Sequence, residues 1–366
     1  MVPHMHVLYD YQIFALQRRG GVSRYFTSLW RELQRAGNFS GELFLGVNQT
    51  DLLAEIRAAV TLRGGAWRDP MWPKTWRIKR DLNRFLFGRE LARSAAKIYH
   101  PTYFWLPPDL RGKKLVLTVH DLIHELMPEH FSREDDAYVM RPAAIRRADI
   151  MVTVSETTKR DLCRLYQVPP ERVFVTPLGC SLPPAEQVPS PPRPERPFLL
   201  YVGERAGYKN FKVLAAAWQQ SERLRREFEL VCFGGAEPTP EERALPGQVV
   251  FRRGDDATLI AAYQTASALI YPSLYEGFGL PLVEAFQYGC PVVTSGCGSI
   301  SEVAGPAAAY FDPADPAALE QTIWRTVEDS VFRAGLVAKG FVQRQLFSWE
   351  RCATMTRMAY SAALSL

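Results

Sequence analysis

The sequence predicts an α/β protein made of two doubly wound, parallel-sheet domains, and three observations predict it. Eight short apolar runs, each followed by a segment of helical character, are spread along the chain. A proline-rich stretch divides them four and four. The 366 residues exceed what one ordinary core organises and suit two domains of about 150 to 200 residues.

In chain order the first four runs are HVLYD (6–10), GELFLGV (41–47), KLVLTVH (114–120) and DIMVTVS (149–155). The second four are PFLLYVG (197–203), FELVCFG (228–234), ALIYPS (268–273) and PVVTSG (291–296). Runs of this length that alternate with helical stretches read as strands buried on both faces of a parallel sheet. Between the two sets, PPAEQVPSPPRPERP (183–197) has seven prolines in fifteen positions. Proline removes a backbone donor and fixes φ, so this stretch continues neither a helix nor a central strand and reads as a semi-rigid spacer. The expected organisation is a first domain over 1–182, a linker over 183–197, a second domain over 198–345 and a closing helix over 346–366. Ligands of open α/β sheets sit outside the carboxyl ends of the strands. Two such domains on a linker are therefore expected to leave a ligand cleft lined by those ends.

Composition narrows the function classes. Hydrophobic residues make up 47% and charged residues 23%, the balance of a globular protein. A formal charge of +5 fits anionic small molecules or a membrane surface and is too mild to argue for nucleic acid. The six cysteines form no C-x-x-C pair, which reads as free thiols in a reducing compartment. No charged and apolar leader pattern opens the chain, and no run reaches eighteen apolar residues, so the expected location is the cytoplasm.

The stretch YEGFGLPLVEA (275–285) sets two glutamates, Glu276 and Glu284, on either side of a glycine-proline corner directly after an apolar run. The spacing predicts a strand over ALIYPS and a short helix over 281–288. Pro281 suits a first helical position and Gly289 a helix end. Glu276 then falls in the loop and Glu284 one turn into the helix. Gly277 and Gly279 allow a ligand close to the backbone, and a helix N-terminus is a natural seat for phosphate. A phosphate seat bracketed by carboxylates suits a nucleotide sugar; an ordinary surface loop with a helix-dipole glutamate fits the same residues.

The longer segment YPSLYEGFGLPLVEAFQYGCPVVTSGCGSISEVAG resembles the glutamate-x7-glutamate region of the retaining glycosyltransferases of family 4. Further stretches resemble that family in the same order: LQRRGGVSRYFTSLWREL its N-terminal glycine loop, VLTVHDLIHE its histidine-bearing strand end, VSETTKRDLCRLYQVPPERVFVTPLG the end of its first domain, and YVGERAGYKNF its phosphate-clamping segment. The resemblance covers most of the chain. It implies the GT-B fold, two facing Rossmann-like domains with a cleft between them, and retaining transfer from a nucleotide diphosphate sugar by front-face substitution. It implies no resident cofactor or metal and no protein base for the acceptor, whose proton passes to the departing phosphate oxygen.

What the resemblance implies for single residues is specific. Lys209 and Arg205, just after LLYVG, neutralise the diphosphate leaving group, as cations aimed at developing charge do. Here Glu204 stands directly after Gly203, where the family commonly has arginine, and Arg205 follows one later. Glu276 holds the donor sugar and Glu284 the ribose, with Gly203, Gly277, Phe278, Gly279 and Leu280 along the nucleotide sugar. His120 shapes the sugar pocket. Gly20 and Gly21 bring backbone close to donor phosphate or acceptor, although an ordinary tight turn also uses such a pair. HDLIHE spaces His120 and His124 four apart, but the zinc pattern H-E-x-x-H lies on a helix and His120 ends a strand, so no metal site is expected. His100, His124 and His130 are expected to be structural or rim residues, and Glu302 a helix cap or a nucleotide neighbour.

The variant Y-K-N-F, with GGVSRY and HDLIHE, is similar to members that transfer mannose from GDP-mannose in polysaccharide assembly. The expected activity is thus hexose transfer to a saccharide or lipid-linked acceptor; the alternative is a non-catalytic nucleotide-sugar-binding subunit that supports a partner transferase. Residues 67–93 carry eight Lys/Arg against three Asp/Glu, with three tryptophans. They read either as a helix packed on the first domain with a solvated basic face, or as a peripheral membrane contact suited to a lipid-linked acceptor. The closing FSWERCATMTRMAYSAALSL resembles the family's last helix, which returns to the first domain.

Overall fold

Every strand pairing in the computed structural model is parallel, as near-continuous apolar runs require. The structure describes residues 4–69 and 74–366; Trp72 of the basic aromatic segment lies outside the described residues. The chain divides into two units, Met1–Leu178 with Trp349–Leu366, and Gly179–Ser348.

The first unit holds β1 (Met5–Tyr9), β2 (Phe39–Asn48), β3 (Thr61–Arg68), β4 (Ile98–His100), β5 (Lys114–Val119), β6 (Ile150–Thr153) and β7 (Val173–Val175). Their order across the sheet is β3-β2-β1-β4-β5-β6-β7. Val7 lies opposite Gly41 on one side and Ile98 on the other. The second unit holds β8 (Phe198–Val202), β9 (Glu229–Phe233), β10 (Val249–Arg252), β11 (Ala268–Tyr271), β12 (Val292–Thr294) and β13 (Ala308–Tyr310), in the order β10-β9-β8-β11-β12-β13. Both orders run outward from the first strand and then reverse, the Rossmann arrangement, with a switch point beside β1 and beside β8.

All eight apolar runs are strands, for the expected reason: helices cover both faces. β11 is buried at every position, and β5 at every position after Lys114. Five strands have no counterpart among those runs. β4, β7 and β13 are three residues long, β10 has four, and β3 is an exposed edge strand, TLRGGAWR, whose glycines and arginines hide any pattern.

The helix Trp349–Ser365 belongs to the first unit. It lies against the helix Gly21–Arg35 and buries Cys352, Ala359, Tyr360 and Ala363. Its Tyr360 hydroxyl meets the Tyr9 hydroxyl at 2.7 Å and His100 Nδ1 at 2.8 Å, while His100 Nε2 meets Thr118 Oγ1 at 2.8 Å. Tyr9, His100 and Tyr360 are wholly buried, so each hydrogen bond replaces one that water would have supplied.

Candidate active site

In the second unit the loop after β8 is shaped by one residue in the left-handed region. Asn210, at φ 53°, stands before the helix Phe211–Gln220, and its Nδ2 donates to the carbonyls of Pro272 (3.2 Å) and Pro313 (2.9 Å). One residue earlier in this turn is Lys209, and Leu274 N donates to Tyr208 O at 2.8 Å. The loops that follow the neighbouring strands β8 and β11 are thus laced together. The result is an ion pair between Lys209 Nζ and Glu276 Oε1 at 2.7 Å, with side chains 17% and 11% exposed. Both side chains are mostly buried and keep a small solvent-facing edge. The Lys209 ammonium lies 5.2 Å from the Tyr208 ring centroid and 5.8 Å from that of Tyr271, near enough for cation–π attraction.

Glu276 is fixed from behind. Ser299 Oγ donates to its carbonyl at 2.7 Å, and a Cβ on Gly298 (φ 59°) would come within 3.2 Å of its amide nitrogen. Burial, then the Glu276 charge, pushes the Tyr271 phenol well above its ordinary range, so it stays protonated beside that carboxylate.

The corner between the two glutamates follows the expected path with one offset. The helix runs Leu280–Gln287, so Pro281 takes the second position, where a backbone donor has no intrahelical partner either. Gly279 stands before it at φ 96°, a conformation that strains any residue with a Cβ, and Gly289 follows its end at φ 67°. Phe278 is buried edge-on against Phe347, with ring centroids 5.4 Å apart, while Gly277 and Leu280 are half-buried. Glu284 is buried, and its Oε2 accepts the Tyr263 hydroxyl at 2.8 Å. Gly277, Gly279 and the helix start therefore stand between two buried carboxylates, one ion-paired with Lys209 and one hydrogen-bonded to Tyr263.

Arg205 takes a different course from the one expected. Its Nε donates to Glu242 at 3.0 Å, one Nη to Gly234 O at 3.0 Å and the other to Ala236 O, and its guanidinium stacks on Phe251. Glu204, in the place where the family commonly has arginine, accepts from Ala236 N at 2.9 Å. Both residues hold the loop after β9, and the structure does not bring Arg205 to the Lys209–Glu276 pair by any described contact. Gly203, directly after β8, sits at φ 123°.

In the first unit, His120 follows β5 and packs edge-on against Tyr25, with centroids 4.9 Å apart. Burial pulls its pKa down to about 4, Asp121 acts the other way and Arg141 adds to the lowering. The imidazole is neutral near pH 7 and offers one donor and one acceptor. Tyr25 lies on the helix that begins at Gly21, and Gly20 caps that helix by exchanging hydrogen bonds with the Ser23 hydroxyl. A Cβ on Gly20 would overlap the Gln17 side chain, whereas one on Gly21 would meet nothing within 4 Å. His124 Nδ1 lies 3.2 Å from buried Arg141, whose guanidinium also bonds Glu125 at 2.7 Å and Asp121 O at 3.2 Å. His124 is thus part of a structural knot, and His100 of the buried chain to Tyr360.

Three residues that frame the pair carried no role in the sequence: Asn210, Tyr271 and Ser299. Asn210 was detectable, since an asparagine before an apolar helical run is a capping signal. Tyr271 and Ser299 act through neighbours fixed only by the sheet order.

Comparison with known proteins bears on the family and the fold. Residues 19–182 match the family described as Glycosyltransferase Family 4, and residues 184–341 the family described as Glycosyl transferases group 1. The chain is 32% identical over 285 residues to O-antigen chain mannosyltransferase B of Escherichia coli, covering 72% of this chain and 74% of that protein. Among solved structures, sucrose-phosphate synthase from Thermosynechococcus elongatus superposes with a TM-score of 0.75 at 21% identity, covering 99% of both chains. Anabaena Alr3699/HepE in complex with UDP-glucose superposes at 0.70 with 17% identity, over 99% of this chain and all of that one. With two Rossmann-ordered sheets, the glutamate-bracketed loop and these relatives, the chain belongs to the family 4 glycosyltransferases of GT-B fold.

Proposed function

We propose that this glycosyltransferase moves a hexose, mannose from GDP-mannose, to a saccharide or lipid-linked acceptor with retention of configuration and without a metal. The Lys209–Glu276 pair carries the reading: at the carboxyl ends of β8 and β11, it sets a cation for a departing diphosphate beside a carboxylate for sugar hydroxyls. In this reading Lys209 exchanges Glu276 for the phosphate when donor binds, and the released carboxylate turns to the sugar. The amides around Gly279 receive phosphate oxygens, Glu284 takes the ribose, and the neutral His120 meets a sugar hydroxyl. Arg205 acts by shaping the loop after β9. The relative's mannosyltransferase name supports mannose, whereas the UDP-glucose in the Anabaena structure belongs to that protein.

Thermal stabilisation by GDP against UDP, followed by GDP-mannose turnover with and without acceptor, tests the reading. GDP is expected to raise the melting temperature more than UDP, and added chelator to leave turnover unchanged. Stabilisation by UDP alone would overturn the donor assignment. Stabilisation by nucleotide with neither transfer nor hydrolysis would favour a binding subunit.

A further inference from the structure

A further hollow lies wholly within the first unit. It is a cavity of about 150 Å³ at the carboxyl ends of β1, β2 and β4, beside the switch point of that sheet. Its aromatic walls are Tyr11, Tyr103, Trp105 and Trp76. Four charged side chains line it as well: Lys79, Arg80 and Arg84 on the helix Trp76–Arg93, and Asp69. Lys79 is ion-paired with Asp69 and Arg80 with Asp81, and Arg84 stands 4.0 Å from Asp81; the four lining charges are net positive.

The walls are held in place. Gln12 Nε2 donates to Trp105 O and Gln12 Oε1 accepts from Trp105 N, both at 2.9 Å. Asn83 bridges the helix to β2 through Val47 N and Val47 O, both at 2.8 Å. Asp10, at the end of β1 and wholly buried, accepts from Tyr99, Gln12 and Thr102 and anchors the loop that carries Trp105. Preformed, mostly apolar hollows with a few fixed polar groups are what small-molecule sites look like.

Arg84 shows what is missing. Its guanidinium carbon lies 4.9 Å from the Trp105 ring centroid, and its Nε is buried with no acceptor among the described residues. The Arg84 side chain is 26% exposed and its Nη1 lies 4.0 Å from Asp81, so what calls for an explanation is the one buried Nε–H, and an anionic ligand supplies its acceptor. Aromatic faces suit the flat apolar side of a sugar ring, and paired guanidiniums suit phosphate or carboxylate geometry.

We propose that this cavity binds a sugar unit bearing an anionic group, phosphate or carboxylate, and that, given the transferase reading above, the unit belongs to the acceptor. Calorimetric titration of the full chain with glucose 6-phosphate, glucuronate, glucose and inorganic phosphate tests it. At least one anionic sugar is expected to bind at least tenfold more tightly than both glucose and phosphate, and which one does so separates the phosphate from the carboxylate source. Arg84→Met is expected to weaken that binding at least tenfold and Arg84→Lys less, with unchanged far-UV circular dichroism. Equal binding of glucose, equal binding of free phosphate, no binding at millimolar concentrations, or indifference to Arg84→Met would each overturn the site. These titrations need neither donor nor turnover, so they stand apart from the donor assignment. The acceptor role fails separately if the sugar that binds does not compete with acceptor in the transfer assay.

Discussion

Lys209 and Glu276 show how a contact across 67 positions becomes chemistry. With side chains only 17% and 11% exposed, removing either partner leaves the other a largely desolvated charge stripped of its counter-ion, at a cost to folding of about 3 kcal/mol. The rate is affected separately, because groups aimed at developing charge contribute about 10²–10³ in kcat. Lys209→Ala and Glu276→Ala are each expected to lower turnover by that order, assayed on folded protein below the lowered melting temperature; rates within a fewfold of normal would remove the residue from the mechanism. His100 supplies a separate pH prediction. Burial pulls its folded pKa to about 3, below the ordinary 6.5, so the unfolded chain binds the extra proton between those values. The stability it contributes is complete above about pH 6.5 and falls away as pH drops towards 3. Asp10 is pushed the opposite way by the same burial, so the whole-protein curve is a sum. The difference between wild type and His100→Gln in denaturant unfolding from pH 7 to 4 isolates the histidine, and parallel curves would refute it. At this scale the sequence exposed the two glutamates, because their spacing is local. It did not expose the aim of Arg205, which depends on Glu242, 37 positions on, and on two carbonyls after β9.

Among the elements, the long apolar strands were readable because burial on both faces leaves a continuous apolar run, while β3 at the exposed edge and the three-residue strands leave no such trace. The helix Trp76–Arg93 was readable as basic and apolar but not as to which side faces out. The structure answers this: Trp76, Ile78, Leu82 and Phe85 are exposed, whereas Phe87 and Leu91 are buried. Trp76 sits under both Arg77 and Arg80, at 5.4 and 5.0 Å. Four large apolar side chains among arginines on one surface helix exceed the scattered exposure normal for a globular protein. We propose that this helix rests on anionic membrane, with Ile78, Leu82 and Phe85, none of which lines the cavity, at the acyl boundary. Sedimentation with vesicles containing phosphatidylglycerol is expected to capture the protein, and neutral phosphatidylcholine vesicles to capture it several-fold less. Ile78→Ser with Phe85→Ser is expected to reduce capture at least fivefold, and equal capture of that variant would remove the helix from membrane contact.

For the whole molecule, the decisive feature is that the chain crosses between units twice, after Leu178 and after Ser348. The proline-rich composition pointed to 183–197, but composition reports stiffness and not attachment. Gln287 Nε2 donates to the carbonyls of Leu182 (3.0 Å) and Pro183 (2.7 Å), and the Tyr288 hydroxyl to Pro183 at 2.6 Å. Leu182 and Pro183, at the start of the proline run, are therefore stitched to the end of the helix Leu280–Gln287, which carries Glu284. The second unit has its own core around Leu199, Leu230 and Ile270, and its length is that of an ordinary domain. A fragment of residues 179–348 is expected to unfold cooperatively and to retain nucleotide binding. A fragment of residues 198–348 loses the three hydrogen bonds and leaves Gln287, which is nearly buried, without its acceptors. At about 1 kcal/mol for each bond it is expected to be less stable by about 2–3 kcal/mol in urea unfolding. Equal midpoints for the two fragments would mean that residues 179–197 are a tether alone, and the second unit would then begin at its first strand.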